Sequence, residues 1–588
     1  MANTLSKPGD TGFKRLTIGA LLLFFLLAYL LPLGLRPMVR PDEYRYAEIP
    51  REMIQSGNWN SPTLIGIRYF EKPALGYQLT AWSFRVFGEN AFALRLPSAL
   101  GAGLAALFLY LLLVKYGRDP WLAPLGTLMF LSMGLVYGVG TFAVIDSQLN
   151  GALTVALAAF FFASQTAGRW RQALWLVVAG AGAGVAFLLK GAPGLAVPAI
   201  VAGGFLLWRG EWKRLFTLVW LPLIAAALVV LPAALAAHRA EPDFWPYFIV
   251  VEHLQRFTGS TFDRDPQPPY YFIPVLLGGI MPAGLLAAAA WCGWRKLFAP
   301  AVERSKPWLR RWAGAVGGMP MFTEALGVYL FLWAVLPFLL FSASSCKLGT
   351  YILPCFPALA ALLAWGVLSG IRECPSGVKR MLDFTLPPFG ILLIVAGLLL
   401  VAYQLSTAVF ARLPMLYLPG DFSYFAPAAV LVLWGGLLVF GRNGTSSRRI
   451  GVFLFGIAPA VIAGMAATPL LGDKTPSFGI AACLAEVPIG PEDRIYVHNG
   501  MMHALAWELN RTDFTIVGKP GELAYPLEQY PEYAARQCPD EQLDQRPDSG
   551  APGRRVLVTA RSISRYRYLA ASPHYRIVTR HGVTFIRF

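Results

Sequence analysis

The chain has 588 residues, of which 56% are hydrophobic and only 14% charged, with a formal net charge of +17. Soluble globular chains carry about 25% charged residues, so composition excludes an ordinary soluble enzyme and makes most of this chain a membrane domain. The positive charge would suit a nucleic-acid binder, but it lies mostly in short loops between apolar blocks, where cytoplasmic-loop bias accounts for it. No nucleic-acid partner is expected.

Thirteen apolar segments are long enough to serve as spans, centred on 16–36, 93–114, 121–138, 147–165, 173–189, 192–208, 215–237, 272–294, 323–342, 350–370, 383–404, 422–440 and 451–470. The first follows Lys14 and Arg15, has no small-residue cleavage site behind it, and reads as a retained anchor. A cytoplasmic N-terminus places most basic clusters on the cytoplasmic side: Lys115/Arg118, Arg169/Arg171, Arg209/Lys213/Arg214, Arg295/Lys296 with Arg310/Arg311, Arg372/Lys379/Arg380 and Arg442/Arg448/Arg449. Two long loops on the other side, 37–91 and 238–271, break that pattern. Their charges call for a functional explanation.

The first of these loops opens with Arg40-Pro41-Asp42-Glu43-Tyr44-Arg45-Tyr46-Ala47-Glu48-Ile49. Pro41 and the two acids suit the start of a helix. Asp42, Arg45 and Tyr46 then share one face by i,i+3 and i,i+4 spacing. Pro50 is expected to kink or end that helix. Downstream, Tyr69-Phe70-Glu71-Lys72-Pro73 is extended before the proline. The aromatic-rich run 74–87 suits a helix lying in the membrane interface, with Lys72 near headgroup level and available to a lipid phosphate.

Asp146 opens the fourth span, and Lys190 closes the fifth before a tight Gly191-Ala192-Pro193-Gly194 break. The second long loop carries Glu252-His253-Leu254-Gln255-Arg256-Phe257, and Lys347-Leu348-Gly349-Thr350-Tyr351-Ile352-Leu353-Pro354 leads into the tenth span. An odd number of spans puts the tail on the same side as these loops. The tail changes character, with alternating runs 494–497, 514–517 and 556–559 and a helical pattern over 501–509, which predicts a small soluble α/β unit. Cys483 and Cys538 both fall in it, either bridged, as an oxidising compartment would permit, or as two free thiols.

The run Asp-Glu-x-Arg-Tyr-Ala-Glu-Ile after the first span, followed by Arg-Tyr-Phe-Glu-Lys-Pro, resembles the bacterial lipid A aminoarabinose transferases. These belong to the C-type membrane glycosyltransferase (GT-C) superfamily, which includes protein O-mannosyltransferases. The resemblance continues at Asp146, at 252–257 and at 347–354, and extends more weakly into the tail; Pro50 departs from it. It implies an all-α polytopic GT-C domain over 1–471 and a periplasmic α/β domain over 472–588, in a bacterial inner membrane. It further implies a donor of 4-amino-4-deoxy-L-arabinose on undecaprenyl phosphate, a lipid A phosphate as acceptor, and resistance to polymyxin and cationic antimicrobial peptides as the outcome.

On that resemblance Asp42 and Asp146 are the catalytic carboxylates. Arg45, Tyr46, Tyr69, Lys72, Lys190, Arg256, Lys347 and Tyr351 bind substrate, with Lys72, Arg256 and Tyr351 assigned to the carrier phosphate. No cofactor is required. A structural zinc on Glu71 and His253, with His498 or His503 as third ligand, is conceivable, against a simple hydrogen-bonded Glu–His pair. Two competing readings stand: a related polyprenyl-phosphate-sugar transferase acting on a protein hydroxyl or another glycolipid, and a lipid flippase. Against the second, the charged motifs gather in loops rather than at the bilayer midplane.

Overall fold

In the computed structural model of the chain, the residues described are 11–255, 257, 267–294, 325–409, 416–417, 420–467, 474–540, 543, 553–560 and 563–588. Among them, ten helices are long and apolar enough to cross a membrane, from Thr11–Gly34 to Ser446–Ala466. Three shorter apolar helices, Leu122–Ser132, Pro193–Trp208 and Ala283–Trp294, occupy the remaining predicted segments. The spans turn large side chains such as Leu22, Leu228, Leu399 and Phe384 outward, which a lipid solvent accepts and water would not. This is a multi-pass membrane protein.

Two of the predicted spans are interrupted where they meet each other. The third breaks at Met133, between helices Leu122–Ser132 and Gly134–Gly140, and the eighth breaks after Gly279. The breaks face each other: Met133 bridges Pro282, and the Gly134 N–H donates to the Met281 carbonyl at 2.6 Å. Inside a bilayer, freed backbone groups must find protein partners, and here each break supplies the other's. The absence of the Pro282 N–H accounts for one interruption in the sequence. The one at Met133 has no local signal.

The helix Asp42–Ser56 continues past Pro50 and ends at Gly57, whose φ of 71° is the left-handed conformation glycine tolerates. It does not stop at the proline because its flanks are held from outside. Ile49, Pro50, Arg51 and Met53 are buried, and Arg51 donates to the Trp507 carbonyl at 2.9 Å and to that of Ala506 at 2.7 Å. A short hairpin, β1 (Thr63–Leu64) with β2 (Ile67–Arg68), then leads into the helix Leu75–Phe87. That helix buries Tyr77 and Phe84 and exposes Trp82 and Phe87, as an interfacial helix should.

The tail forms a six-stranded sheet: β3 (Arg494–His498), β4 (Thr515–Val517), β5 (Gln537–Cys538), β6 (Arg555–Thr559), β7 (Arg576–Arg580) and β8 (Val583–Arg587), in the order β5-β4-β3-β6-β8-β7. β3 to β6 pair in parallel and β8 antiparallel, so the unit is α/β with an antiparallel edge. Cys483 lies in the same core as Ile495 and Val497, against the Val578 and Val583 carbonyls, while Cys538 lies in a separate core with Tyr496 and Leu557. Both are free thiols, and the sheet lies between them. The unit sits on the first loop through Arg40 to the Gly500 carbonyl (2.7 Å), Arg536 to the Ile65 carbonyl (2.9 Å) and the bonds of Arg51. Phe70, Phe244, Tyr525 and Tyr530 join both loops to it in one aromatic cluster.

Candidate active site

A cavity of about 340 Å³ lies where the first loop, the helix Asp146–Gln165 and the break between Arg169–Lys190 and Pro193–Trp208 meet. Its lining brings together Glu71, Lys72, Asp146, Lys190, His253 and Tyr351, residues separated by up to 280 positions in sequence (Glu71 to Tyr351, 351 − 71). Much of the remaining wall is apolar, including Leu149, Phe248, Leu254, Phe257, Leu340 and Phe341. An apolar wall with a few convergent polar groups is the usual make-up of a ligand pocket.

Two cations, Lys190 and Lys72, line the cavity. Lys190, at the last turn of its helix, pairs with Asp146, and its ammonium lies over the Tyr351 ring at 4.6 Å from the centroid. Gly191, with φ of 82°, makes the reversal that ends the lysine's helix there. Lys72 donates to the Tyr46 hydroxyl at 2.7 Å and lies over the same ring at 5.2 Å. Its charge also acts on Asp146. Tyr46 stacks on Tyr77, and Tyr69 meets Tyr77 edge-on and donates to Glu71 at 3.0 Å. The three phenols form a rigid floor under Lys72, and burial keeps Tyr46, Tyr69 and Tyr77 protonated far above neutral pH.

Beside the cavity lies a second cluster. Arg45 pairs with Asp42 one turn away and with Glu522 of the C-terminal unit at 3.2 Å, and Glu522 also takes a hydrogen bond from His503 at 2.8 Å. Burial alone would raise the Glu522 pKa, but the Arg45 charge and the His503 bond outweigh it and hold the carboxylate well below its usual range. Asp42 does not line the cavity; its side chain is 42% exposed on the same loop.

Comparison with known proteins fixes the family. Residues 14–248 match the model of dolichyl-phosphate-mannose-protein mannosyltransferases, and residues 472–572 match that of the arabinosyl transferase ArnT C-terminal domain. An undecaprenyl phosphate-alpha-4-amino-4-deoxy-L-arabinose arabinosyl transferase of Shewanella sediminis is 34% identical over 520 residues, 86% of each chain. One from Proteus mirabilis is 35% identical over 548 residues, 90% of each chain. The chain belongs to this arabinosyl transferase family. The crystal structure of ArnT from Cupriavidus metallidurans bound to undecaprenyl phosphate shares the fold, with a TM-score of 0.71, 24% identity and 98% of both chains covered.

As a member of the arabinosyl transferase family the chain is a glycosyltransferase, and its remaining candidate residues divide by what they touch. Lys347 donates to the carbonyls of Gln267 and Ser344, so its charge braces the segment ahead of the tenth span. Arg256 lies outside the described residues. His253 uses both ring nitrogens on backbone: Nδ1 donates to the Phe248 carbonyl at 2.8 Å, and Nε2 accepts the Ala192 N–H at 3.0 Å. That is a neutral imidazole closing the helix break behind Lys190. A zinc ion would have to displace the Ala192 bond, and His503 and His498 face Glu522 and Asp540 instead. Among the described residues no three His, Cys, Asp or Glu side chains are grouped for a metal. The donor set as placed does not fit zinc, and no step is routed through one.

Sequence reasoning passed over Glu43, Arg36 and Arg95, taking Glu43 only as a helix-start acid. Glu43 is fully buried and accepts from Arg36 at 2.7 and 3.0 Å, from Arg95 at 2.7 and 2.8 Å, and from the Val39 and Ala143 N–H groups. Glu522 was missed as a partner of Arg45, and His503 as the partner that holds Glu522. No helical or strand periodicity marks either set: Arg95 lies 52 positions from Glu43, and Glu522 lies 477 from Arg45. The one available signal was Arg95 inside an apolar span, where a charge needs a reason.

Proposed function

We propose that this transferase moves 4-amino-4-deoxy-L-arabinose from undecaprenyl phosphate to a phosphate of lipid A, at the periplasmic face of a bacterial inner membrane, with the N-terminus cytoplasmic and the C-terminal unit periplasmic. The observation that carries the reading is the apolar cavity with Lys72, Lys190, Asp146 and Tyr351 gathered at its polar end. The names of the relatives supply the sugar and the carrier. Modified lipid A loses negative charge, which gives resistance to polymyxin and cationic antimicrobial peptides.

In this reading the carrier phosphate sits between Lys72 and Lys190, and the polyprenyl chain runs along the apolar wall. Charge-assisted bonds to phosphate are the strong kind. The bond from the anomeric carbon to the carrier phosphate oxygen breaks, and the electron pair leaves with undecaprenyl phosphate. The two ammonium groups stabilise that departing charge, where preorganised cations lower a barrier most. A lipid A phosphate oxygen forms the new bond to the same carbon. It is already ionised, so no general base is required. Asp146 and Asp42 face positive charge instead, either the sugar's amino group or the developing charge at the anomeric carbon.

The test expresses wild type and Asp42→Asn in a strain that makes the aminoarabinose donor but lacks its transferase, and takes lipid A mass spectra. Wild type adds one aminoarabinose unit and the variant, at equal abundance, does not. Wild type that folds but leaves lipid A unmodified refutes the reaction; addition by both proteins removes Asp42 from the catalytic set.

A further inference from the structure

We infer that Glu522, contributed by the C-terminal unit, is a positioning residue for sugar transfer: it holds Arg45, and Arg45 in turn holds the Asp42 carboxylate beside the cavity. The inference rests on Asp42 serving the transfer, and it gives the C-terminal unit a role in the reaction beyond covering the loops.

The chain of contacts is continuous. His503, 2% exposed, donates through Nε2 to Glu522 at 2.8 Å. The same Glu522 oxygen accepts from Arg45 Nη1 at 3.2 Å, and Arg45 Nη2 reaches Asp42. Arg45 also lies against Tyr46, 5.7 Å from its ring centroid, and Tyr46 accepts the Lys72 ammonium. A single guanidinium therefore connects the C-terminal unit to Asp42 on one side and to the cavity floor on the other.

Geometry separates this pair from the other contacts of the interface. Arg40, Arg51 and Arg536 bind backbone carbonyls, which glue the two units without touching a cavity residue or an acid assigned to chemistry. Glu522 alone among the described interface acids divides the charge of an arginine with Asp42. Without it, a flexible arginine next to an exposed aspartate is free to pair with it fully, neutralising the carboxylate, or to swing away. Glu522, fixed by His503, pins one arm of the fork so that Asp42 holds only the other. The Arg45 Nε–H, buried and without a partner among the described residues, is then kept in one place as well.

The experiment compares purified wild type, Glu522→Gln, Arg45→Ala, the double variant and Gln55→Ala in detergent or nanodiscs, reading transfer kinetics and binding of undecaprenyl phosphate. Gln55 bonds Asn510 across the same interface at 3.0 Å and is exposed, so its variant reports generic loss of interface contact. Glu522→Gln is expected to lower kcat about 10- to 100-fold, the scale of a displaced catalytic group. Its KM for donor changes less than about threefold, because the carrier phosphate is held elsewhere. Carrier binding is likewise kept, whereas Lys72→Ala weakens it more than about tenfold. Gln55→Ala behaves as wild type. In the Arg45→Ala background the Glu522 substitution adds less than about twofold, because the two act as one unit. A Glu522→Gln enzyme with wild-type kcat overturns the inference. So does a loss that is undiminished without Arg45, or a loss of carrier binding equal to that of Lys72→Ala. Failure of wild type itself to modify lipid A indicts the proposed reaction and is read separately in the mass spectra.

Discussion

Two buried ion clusters stand within the same loop-and-helix region and are built on opposite principles. Around Glu43, every oxygen lone pair is taken: two arginines in bidentate contact and two backbone N–H groups, with Arg95 also donating to the carbonyls of Leu33, Arg36 and Pro37. The side chains of Glu43 and Arg95 are both 0% exposed. Around Lys190, one carboxylate and one aromatic face hold the ammonium at the wall of a cavity, with 15% of the side chain accessible. The first cluster is saturated and can only hold structure. The second keeps capacity for a ligand oxygen. Burial and charge alone do not separate a strut from a site; the number of fixed partners around the charge does.

The sharpest way to break this contrast is to disturb the saturated cluster. Glu43→Gln leaves Arg36 and Arg95 sharing a neutral amide in a buried setting, and unpairing a buried ion costs ~3–5 kcal/mol. The expected result is a protein extracted at low yield with a clearly lowered melting temperature. Wild-type thermal stability in that variant would show the cluster to be dispensable.

Lys190→Met should do the reverse. It keeps the volume, stays folded within a few degrees of wild type, and, on the proposed reaction, loses transfer by about 100-fold or more because the leaving phosphate has lost one of its two cations. Lipid A mass spectra with a parallel melting curve check both halves. A Lys190→Met protein that melts like Glu43→Gln would erase the distinction between the two clusters.

The smallest effect concerns pH. Glu48 and Glu52 are raised above the ordinary carboxylate range, in both cases by burial first; Arg51 opposes the shift at Glu48, while bonds from Thr63 and Gly66 oppose it at Glu52. A raised acid means that the folded protein keeps a proton the unfolded chain releases above about pH 4.3. Stability from this pair is therefore greatest in acid and declines as pH rises through the window up to the raised values. Glu522, with a lowered pKa, has the opposite sign: its contribution is present above the unfolded range and is lost on acidification. Melting curves between about pH 5 and pH 8 should be flatter for Glu48→Gln than for wild type. An unchanged slope would mean the pair is ionised in the folded state.

Much was legible without coordinates, and for definite reasons. Apolar length is set by bilayer thickness, so ten of the thirteen expected spans are found, among the described residues, as helices long enough to cross, the other three segments forming shorter apolar helices. The i,i+3 spacing of Asp42 and Arg45 yields a contact that needs only one turn of helix, and it is there. Strands β3, β4 and β6 were readable from alternation, whereas β7 and β8 were passed over despite the Val583–Arg587 pattern, and β5 is two residues long. Pro50 misled because the local cost of a proline was weighed without the external bonds that hold Arg51 and the buried flank.

The sequence by itself determined the membrane class, the start of the first-loop helix, the α/β tail and which motifs carry charge, because each follows from short-range periodicity or from the solvent a segment requires. Tertiary structure alone decided that Lys190 meets Asp146 across 44 residues, that Lys347 is spent on backbone, that Glu43 is a strut, and that Glu522 reaches Arg45 from 477 residues away. A charged side chain written in a sequence does not say who neutralises it. Only the packing of distant helices does, since a buried charge takes whichever partner the fold brings within reach.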